Sequence, residues 1–181
     1  MPEIETRRLL LRPFNLADLD DLARLFGDAA VMRYLGVEGG QTLTRDETQA
    51  ALEIFIAGWR ERGFDRWAAR LKATQEMIGL CGLRLLDDMP ELVYALRKEN
   101  WGQGFAAEAA RACLRFAFEE LRLERVVAVT RPGNVASQRV LEKIGMRYER
   151  EAQYYGVDTL GYALTRAEFR AGDAFYLLRR D

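Results

Sequence analysis

The chain has 181 residues, 49% of them hydrophobic and 30% charged, which is enough for one domain with a full hydrophobic core. Its 27 basic and 28 acidic residues leave a formal charge of −1, so the basic excess that nucleic-acid-binding proteins need is missing and no nucleic-acid partner is expected. The lack of histidine excludes Ser-His-Asp and Cys-His triads and histidine-based zinc sites, and we expect no metal.

The N-terminal stretch MPEIETRRLLLRPF contains acidic residues and no long apolar run, so it predicts neither a signal peptide nor a membrane span. The two cysteines, Cys81 and Cys113, lie within apolar runs and are expected to be buried free thiols of a reducing compartment. Together these features predict a cytoplasmic protein without a membrane partner.

The first third of the chain predicts a strand followed by two helices. RRLLLRPF (7–14) is a short strand candidate, and Asn15 is the expected N-cap of the first helix, which has an apolar stripe. The second helix begins at Thr44, which has capping-box spacing to Glu47, and ends at Gly63.

The rest of the chain alternates between strand and helix patterns. The predicted elements are two strands joined by a turn near 73–75, a strand at 91–96, a helix at roughly 104–120, a strand at 125–130, a helix at 134–145, and strands at 146–151 and 159–164. This order predicts a mixed α/β sandwich with helices on both faces of one sheet.

The helix at 104–120 begins with a glycine pattern. Gly102, Gly104 and Ala107 match the G-x-G-x-x-[GA] dinucleotide fingerprint, but the first glycine does not directly follow the strand at 91–96. The next strand, RVVAVT, also lacks the acidic residue that binds a ribose hydroxyl, so a dinucleotide-dependent oxidoreductase is a disfavoured alternative. We expect an anion site at a helix N-terminus, with the backbone N–H groups of residues 102–106 as donors.

The stretch NWGQGFAAEA resembles the acyl-CoA pyrophosphate loop of the GNAT N-acetyltransferase superfamily, in particular its ribosomal-protein-alanine (RimJ/RimL-type) branch. Three further stretches, ETRRLLLRPFNLADLDDL, NVASQRVLEKIGM and YALTRAEF, resemble other parts of the same family. The resemblance spans roughly residues 5–170 of a single domain, with residues 171–181 as an extension that either docks on the domain or forms a dimer contact. It implies a central, mostly antiparallel sheet with one splayed parallel strand pair.

The resemblance also implies acetyl-CoA as co-substrate and an amine acceptor, either a peptide N-terminus or a small amine. Pantetheine would pair with the strand before the loop, and a backbone N–H near the end of that strand would be the oxyanion donor. The pyrophosphate would lie on the loop. The implied coenzyme contacts are Tyr94, Ala95, Leu96, Gly102, Gln103, Gly104, Phe105, Ala106, Asn134 and Ser137.

The implied catalytic groups depart from the superfamily's usual pattern. The tyrosine that many members use as an acid is Leu141 here, and the resemblance implies Ser137 as the group that faces the sulfur. Glu91 matches the acid of the branch's E-[IV]-G-Y pattern and is the candidate base acting through water, with water alone as the alternative. A non-catalytic acyl-CoA-binding module is the second alternative, and the assembly is expected to be a monomer or a homodimer.

Overall fold

The computed structural model describes residues 1–35, 40–154 and 156–180. The strands and helices in these ranges are β1 (Glu3–Thr6), β2 (Leu9–Pro13), α1 (Leu19–Phe26), α2 (Ala29–Met32), α3 (Arg45–Arg62), β3 (Arg66–Leu71), β4 (Met77–Leu86), β5 (Met89–Leu96), α4 (Phe105–Arg115), β6 (Arg125–Thr130), α5 (Val135–Lys143), β7 (Arg147–Tyr154), β8 (Val157–Thr165) and β9 (Tyr176–Arg179). Among the described residues, no helix is both long enough and apolar enough to cross a membrane.

The described strands form one open sheet in the order β7-β8-β6-β5-β4-β3-β2-β1-β9. Neighbouring strands are antiparallel, except for β5 and β6, which run parallel. The predicted fold class, a mostly antiparallel sheet with one parallel pair, is therefore confirmed.

Two hydrophobic clusters cover the two faces of this sheet. Leu80 in β4 packs with side chains of α1 and α3, whereas the next residue, Cys81, packs with side chains of α4 and α5. Adjacent residues of a strand point to opposite faces, so each pair of helices covers its own face, as predicted. Cys81 and Cys113 are buried free thiols, with their sulfur atoms 3.3 Å apart.

The parallel pair opens into a gap. The described residues of β5 and β6 pair at a single position, Glu91 opposite Val127, although β5 pairs with β4 as far as Leu96. Because β5 continues beyond Glu91 without a partner on this side, the two strands separate towards their C-terminal ends. The loop that leads into α4 begins at the open end of this gap.

Local capping signals were predicted correctly. The Asn15 side chain accepts the Ala17 N–H at 2.9 Å, although it caps a short 3₁₀ turn that precedes α1. Thr44 and Glu47 form the capping box of α3. Gly63 follows α3 with a left-handed φ of 74°, which glycine adopts without steric cost.

The two ends of the chain differ from the prediction. The expected strand at 7–14 corresponds to β2 alone, and a further strand that was not predicted, β1, precedes it across a bend at residues 7–8. The C-terminal extension forms β9, which pairs antiparallel with β1 from Thr6 opposite Tyr176 to Glu3 opposite Arg179. Of the two roles considered for the extension, docking on its own domain is therefore observed; residue 181, the last of the expected extension, lies outside the described residues.

Candidate functional site

The loop between β5 and α4 contains two glycines in a conformation that other residues rarely adopt. Gly102 has a φ of 73° and Gly104 a φ of 80°. A Cβ built on Gly102 would meet nothing within 4 Å, so the space in front of this residue is open. Gly104 is the N-cap of α4, and the first backbone N–H groups of a helix, here those of Phe105 and Ala106, have no carbonyl partner within the helix. The loop therefore presents backbone donors and the positive end of the helix dipole to an anion.

The free edge of β5 leads directly into this loop. The Arg97 N–H donates to a β4 carbonyl at 2.8 Å. The backbone N–H and carbonyl of one strand residue point to the same side, and successive residues alternate between the two sides. Those of Tyr94 and Leu96 therefore point away from β4 and into the gap, while those of Ala95 point to β4. The Trp101 indole N–H donates to the Leu96 carbonyl at 2.7 Å and so ties the loop to this edge. The Gln103 side chain donates back to the loop, to the Glu99 carbonyl at 2.9 Å.

A pair of hydroxyl groups joins β5 to α5 beside the gap. Asn134 caps α5 by accepting the Ser137 N–H at 3.2 Å, as its sequence pattern predicts. The Ser137 Oγ lies 2.8 Å from the Tyr94 Oη, which is also 3.2 Å from the Ser137 carbonyl oxygen. Removal from water raises the pKa of Tyr94, and its hydrogen bond with Ser137 offsets part of this increase. The pair is therefore neutral, and the hydroxyls can act as proton donors.

Glu91 occupies a different environment. Its side chain is buried, with 1% of the residue exposed, and its Oε2 accepts from the Arg84 Nε at 2.5 Å across the β4–β5 ladder. Because it precedes Tyr94 by three residues, it points to the opposite face of β5, the face covered by α1 and α3. The structure thus brings Tyr94, Asn134 and Ser137 together and places Glu91 at the closed end of the gap. Its role as a base stays a prediction.

Two residues position the site in a way that was not predicted from the sequence. One is Trp101, whose indole binds Leu96. The other is Gly79 in β4, where an added Cβ would lie 2.1 Å from the Ala95 carbonyl oxygen, so β5 can approach only a glycine here. A glycine inside a strand pattern is the signal that could have indicated this close approach.

Comparison with known proteins identifies the family of this chain. Residues 8–147 match the family model described as an acetyltransferase (GNAT) domain. The chain is 31% identical over 157 residues to the uncharacterized N-acetyltransferase YoaA of Bacillus subtilis, covering 85% of this chain and 88% of that protein. Two solved structures each have a TM-score of 0.79. A GNAT-family acetyltransferase from Bacillus anthracis is 28% identical, covering 92% of this chain and 99% of the other. An acetyltransferase from Agrobacterium tumefaciens is 30% identical, covering 91% and 94%.

Proposed function

This chain belongs to the GNAT acetyltransferase family and is an N-acetyltransferase, and we propose that it transfers the acetyl group of acetyl-CoA to a primary amine by direct attack. The family uses acetyl-CoA as its co-substrate. The observation that carries the proposal is the glycine loop, which presents the N-terminus of α4, a geometry suited to an anion, at the open end of the gap between β5 and β6.

In this proposal the chain binds the coenzyme mainly through its backbone. The N–H groups of residues 102–106 hold the pyrophosphate, and the open space in front of Gly102 is what a bulky pyrophosphate requires. The peptide groups of Tyr94 and Leu96 pair with pantetheine, and an N–H near Leu96 stabilises the negative charge that develops on the thioester oxygen. Asn134 donates a hydrogen bond to pantetheine from its side-chain N–H₂ group, because its side-chain oxygen already accepts from the Ser137 N–H.

Ser137, with Tyr94 behind it, delivers a proton to the departing sulfur, and solvent returns that proton to the hydroxyl pair before the next turnover. If the Tyr94 O–H donates to the Ser137 Oγ, the serine hydroxyl hydrogen is free to point towards the thiolate. The thiolate of a thiol with a reference pKa of about 8.5 is a good leaving group, so we expect the proton donor to increase the rate only modestly. This arrangement replaces the tyrosine acid that is absent at Leu141.

The amine must be neutral to attack, so the proton that its ammonium form carries needs a route to solvent. We propose that Glu91 accepts it through water on the opposite face of β5, where the carboxylate also faces the Arg84 guanidinium. Because that carboxylate is buried and its Oε2 already accepts a hydrogen bond from Arg84, water alone is the competing route.

The acceptor is proposed to be a peptide α-amine or a small amine. An α-amine has a pKa of about 7.7–8.0, so a useful fraction is neutral and nucleophilic near pH 7. The motif resemblance is what supports placement in the RimJ/RimL-type branch. We also propose a cytoplasmic enzyme that acts as a monomer or homodimer.

Turnover tests this proposal. Thiol release from acetyl-CoA would be measured with peptides, polyamines and amino acids as acceptors, for the wild-type protein and two serine variants. We expect Ser137→Ala to lower kcat roughly 10- to 100-fold, at the low end for general acid catalysis, with little change in acetyl-CoA affinity. Ser137→Thr, which keeps a hydroxyl, should retain most activity. Equal kcat for the wild-type and alanine variants would contradict the assigned role, and absence of turnover with all acceptors would contradict the proposed acceptor class.

A further inference from the structure

Arg8 lies in the bend between β1 and β2, almost a hundred residues from the glycine loop, yet its side chain contacts that loop directly. Its Nη1 donates to the Gln103 carbonyl oxygen at 2.9 Å. Its Nε donates to the Glu108 Oε2 at 2.6 Å, and its backbone N–H donates to the Glu108 Oε1 at 2.8 Å. The guanidinium carbon is 4.3 Å from the centre of the Phe105 ring. One side chain therefore contacts three residues at the start of α4.

The contact with Gln103 fixes the direction of a loop donor. Gln103 and Gly104 share one trans peptide group, in which the carbonyl and the N–H point in opposite directions. When Arg8 holds the Gln103 carbonyl, the Gly104 N–H is turned away from Arg8. This N–H belongs to the set proposed to bind pyrophosphate, so Arg8 determines where that donor points.

The contact with Glu108 concerns charge. Glu108 lies in the first turn of α4, and its side chain is 17% exposed. A carboxylate so close to the helix N-terminus would repel a bound pyrophosphate, because both are negative and the site is partly shielded from water. Thr6 also donates to Glu108, at 2.7 Å, but a hydroxyl brings no positive charge. The Arg8 guanidinium neutralises the carboxylate.

We propose that Arg8 is a positioning residue for coenzyme binding, which orients the pyrophosphate loop through Gln103 and cancels the charge of Glu108. The inference rests on the proposed use of acetyl-CoA. It predicts a defect confined to ligands that carry the pyrophosphate, since pantetheine binds to β5 and not to the loop.

The test is titration calorimetry with acetyl-CoA and with S-acetyl-pantetheine, which lacks the pyrophosphate and the nucleotide. Arg8→Gln should weaken acetyl-CoA binding about 10- to 100-fold, as expected for the loss of charge-assisted hydrogen bonds, and leave S-acetyl-pantetheine binding within about twofold. Arg7→Gln is the matched control, because it removes the same charge from the neighbouring exposed residue, and both ligands should bind it as they bind the wild type. The double variant Arg8→Gln/Glu108→Gln should regain part of the lost affinity, since the uncompensated carboxylate is gone.

Wild-type affinity for acetyl-CoA in Arg8→Gln would overturn the inference and leave the proposed function intact. Equal losses for the two ligands would also overturn it, because Arg8 would then only support the fold. No recovery in the double variant would refute the charge argument. A wild-type protein that fails to bind acetyl-CoA would instead overturn the proposed function, and the inference with it.

Discussion

Replacement of Gly102 by alanine tests whether the loop glycine serves a ligand or only its own backbone. Gly102 has a φ of 73° and Gly63, which ends α3, a φ of 74°, and an added Cβ meets nothing within 4 Å at either position. A left-handed conformation costs alanine about 1–2 kcal/mol, so Gly102→Ala and Gly63→Ala should destabilise the protein equally. For a chain of this length the unfolding midpoint should fall by about 2–8 °C in both variants.

Coenzyme affinity should separate the two variants. Gly63 lines a cavity together with Phe116 and Leu121, which follow the C-terminal end of α4, so its replacement should leave acetyl-CoA binding unchanged. At Gly102 the new methyl group occupies the open space in front of the loop and prevents close approach of a phosphate oxygen. Loss of one charge-assisted hydrogen bond, about 1.5–3 kcal/mol, corresponds to a loss of affinity of about 10- to 150-fold.

Calorimetry with acetyl-CoA, together with thermal unfolding, gives both quantities for each variant. Wild-type affinity in Gly102→Ala, or the same loss in both variants, would refute the reasoning. The glycine would then be needed for the backbone conformation alone.

Three further outcomes follow from buried groups and from the sheet edge. Burial raises the pKa of Tyr94 in the folded protein. Its neutral hydroxyl therefore contributes fully to the free energy of unfolding below the unfolded pKa of 10.0, and this contribution is lost as the pH rises above that value. Urea unfolding at pH 8–11 should show the stability advantage of the wild type over Tyr94→Phe shrinking by about 1.4 kcal/mol per pH unit above 10; a constant difference would contradict the buried hydroxyl. Glu91→Gln should lower the free energy of unfolding by about 1–3 kcal/mol, because the hydrogen bond from Arg84 to this side chain loses its charge on the acceptor, and should lower the high-pH plateau of kcat; an unchanged plateau would leave water as the base. Truncation after Gly172 removes β9 and should lower the unfolding midpoint by roughly 3–12 °C, because the half-buried side chains of Tyr176 and Leu178 lose their packing. An unchanged midpoint would contradict the observed pairing of β9 with β1.

Much of the fold could be predicted because its signals are local. Thr44 and Glu47 are three residues apart, and Asn134 caps the helix that starts at the next residue, so short patterns contain all the information. The sequences of strands β3 to β6 either alternate between apolar and polar residues or are continuously apolar, and clear turn signals separate them. The four-residue strands β1 and β9 were missed because strands this short have little pattern of their own and depend on pairing: β9 pairs with β1 at the opposite end of the chain, and β1 pairs with both β9 and β2.

The candidate site was predictable only in part, for the same reason. The glycine loop is a contiguous motif, and its left-handed residues follow from glycine itself. The Tyr94–Ser137 and Arg8–Glu108 contacts join residues 43 and 100 positions apart, so they depend on how the sheet and helices pack. The burial of Glu91 likewise depends on its cross-strand partner Arg84, which the resemblance did not indicate.

The measurement that tests the central claim most directly is thermal unfolding of the wild-type protein with saturating acetyl-CoA and, separately, with NADH. A ligand at one hundred times its dissociation constant adds about 2.7 kcal/mol of stability, which for a chain of this size raises the midpoint by roughly 5–11 °C. We predict this rise with acetyl-CoA and no rise with NADH. A rise with NADH alone would contradict the account and identify the loop as a dinucleotide site.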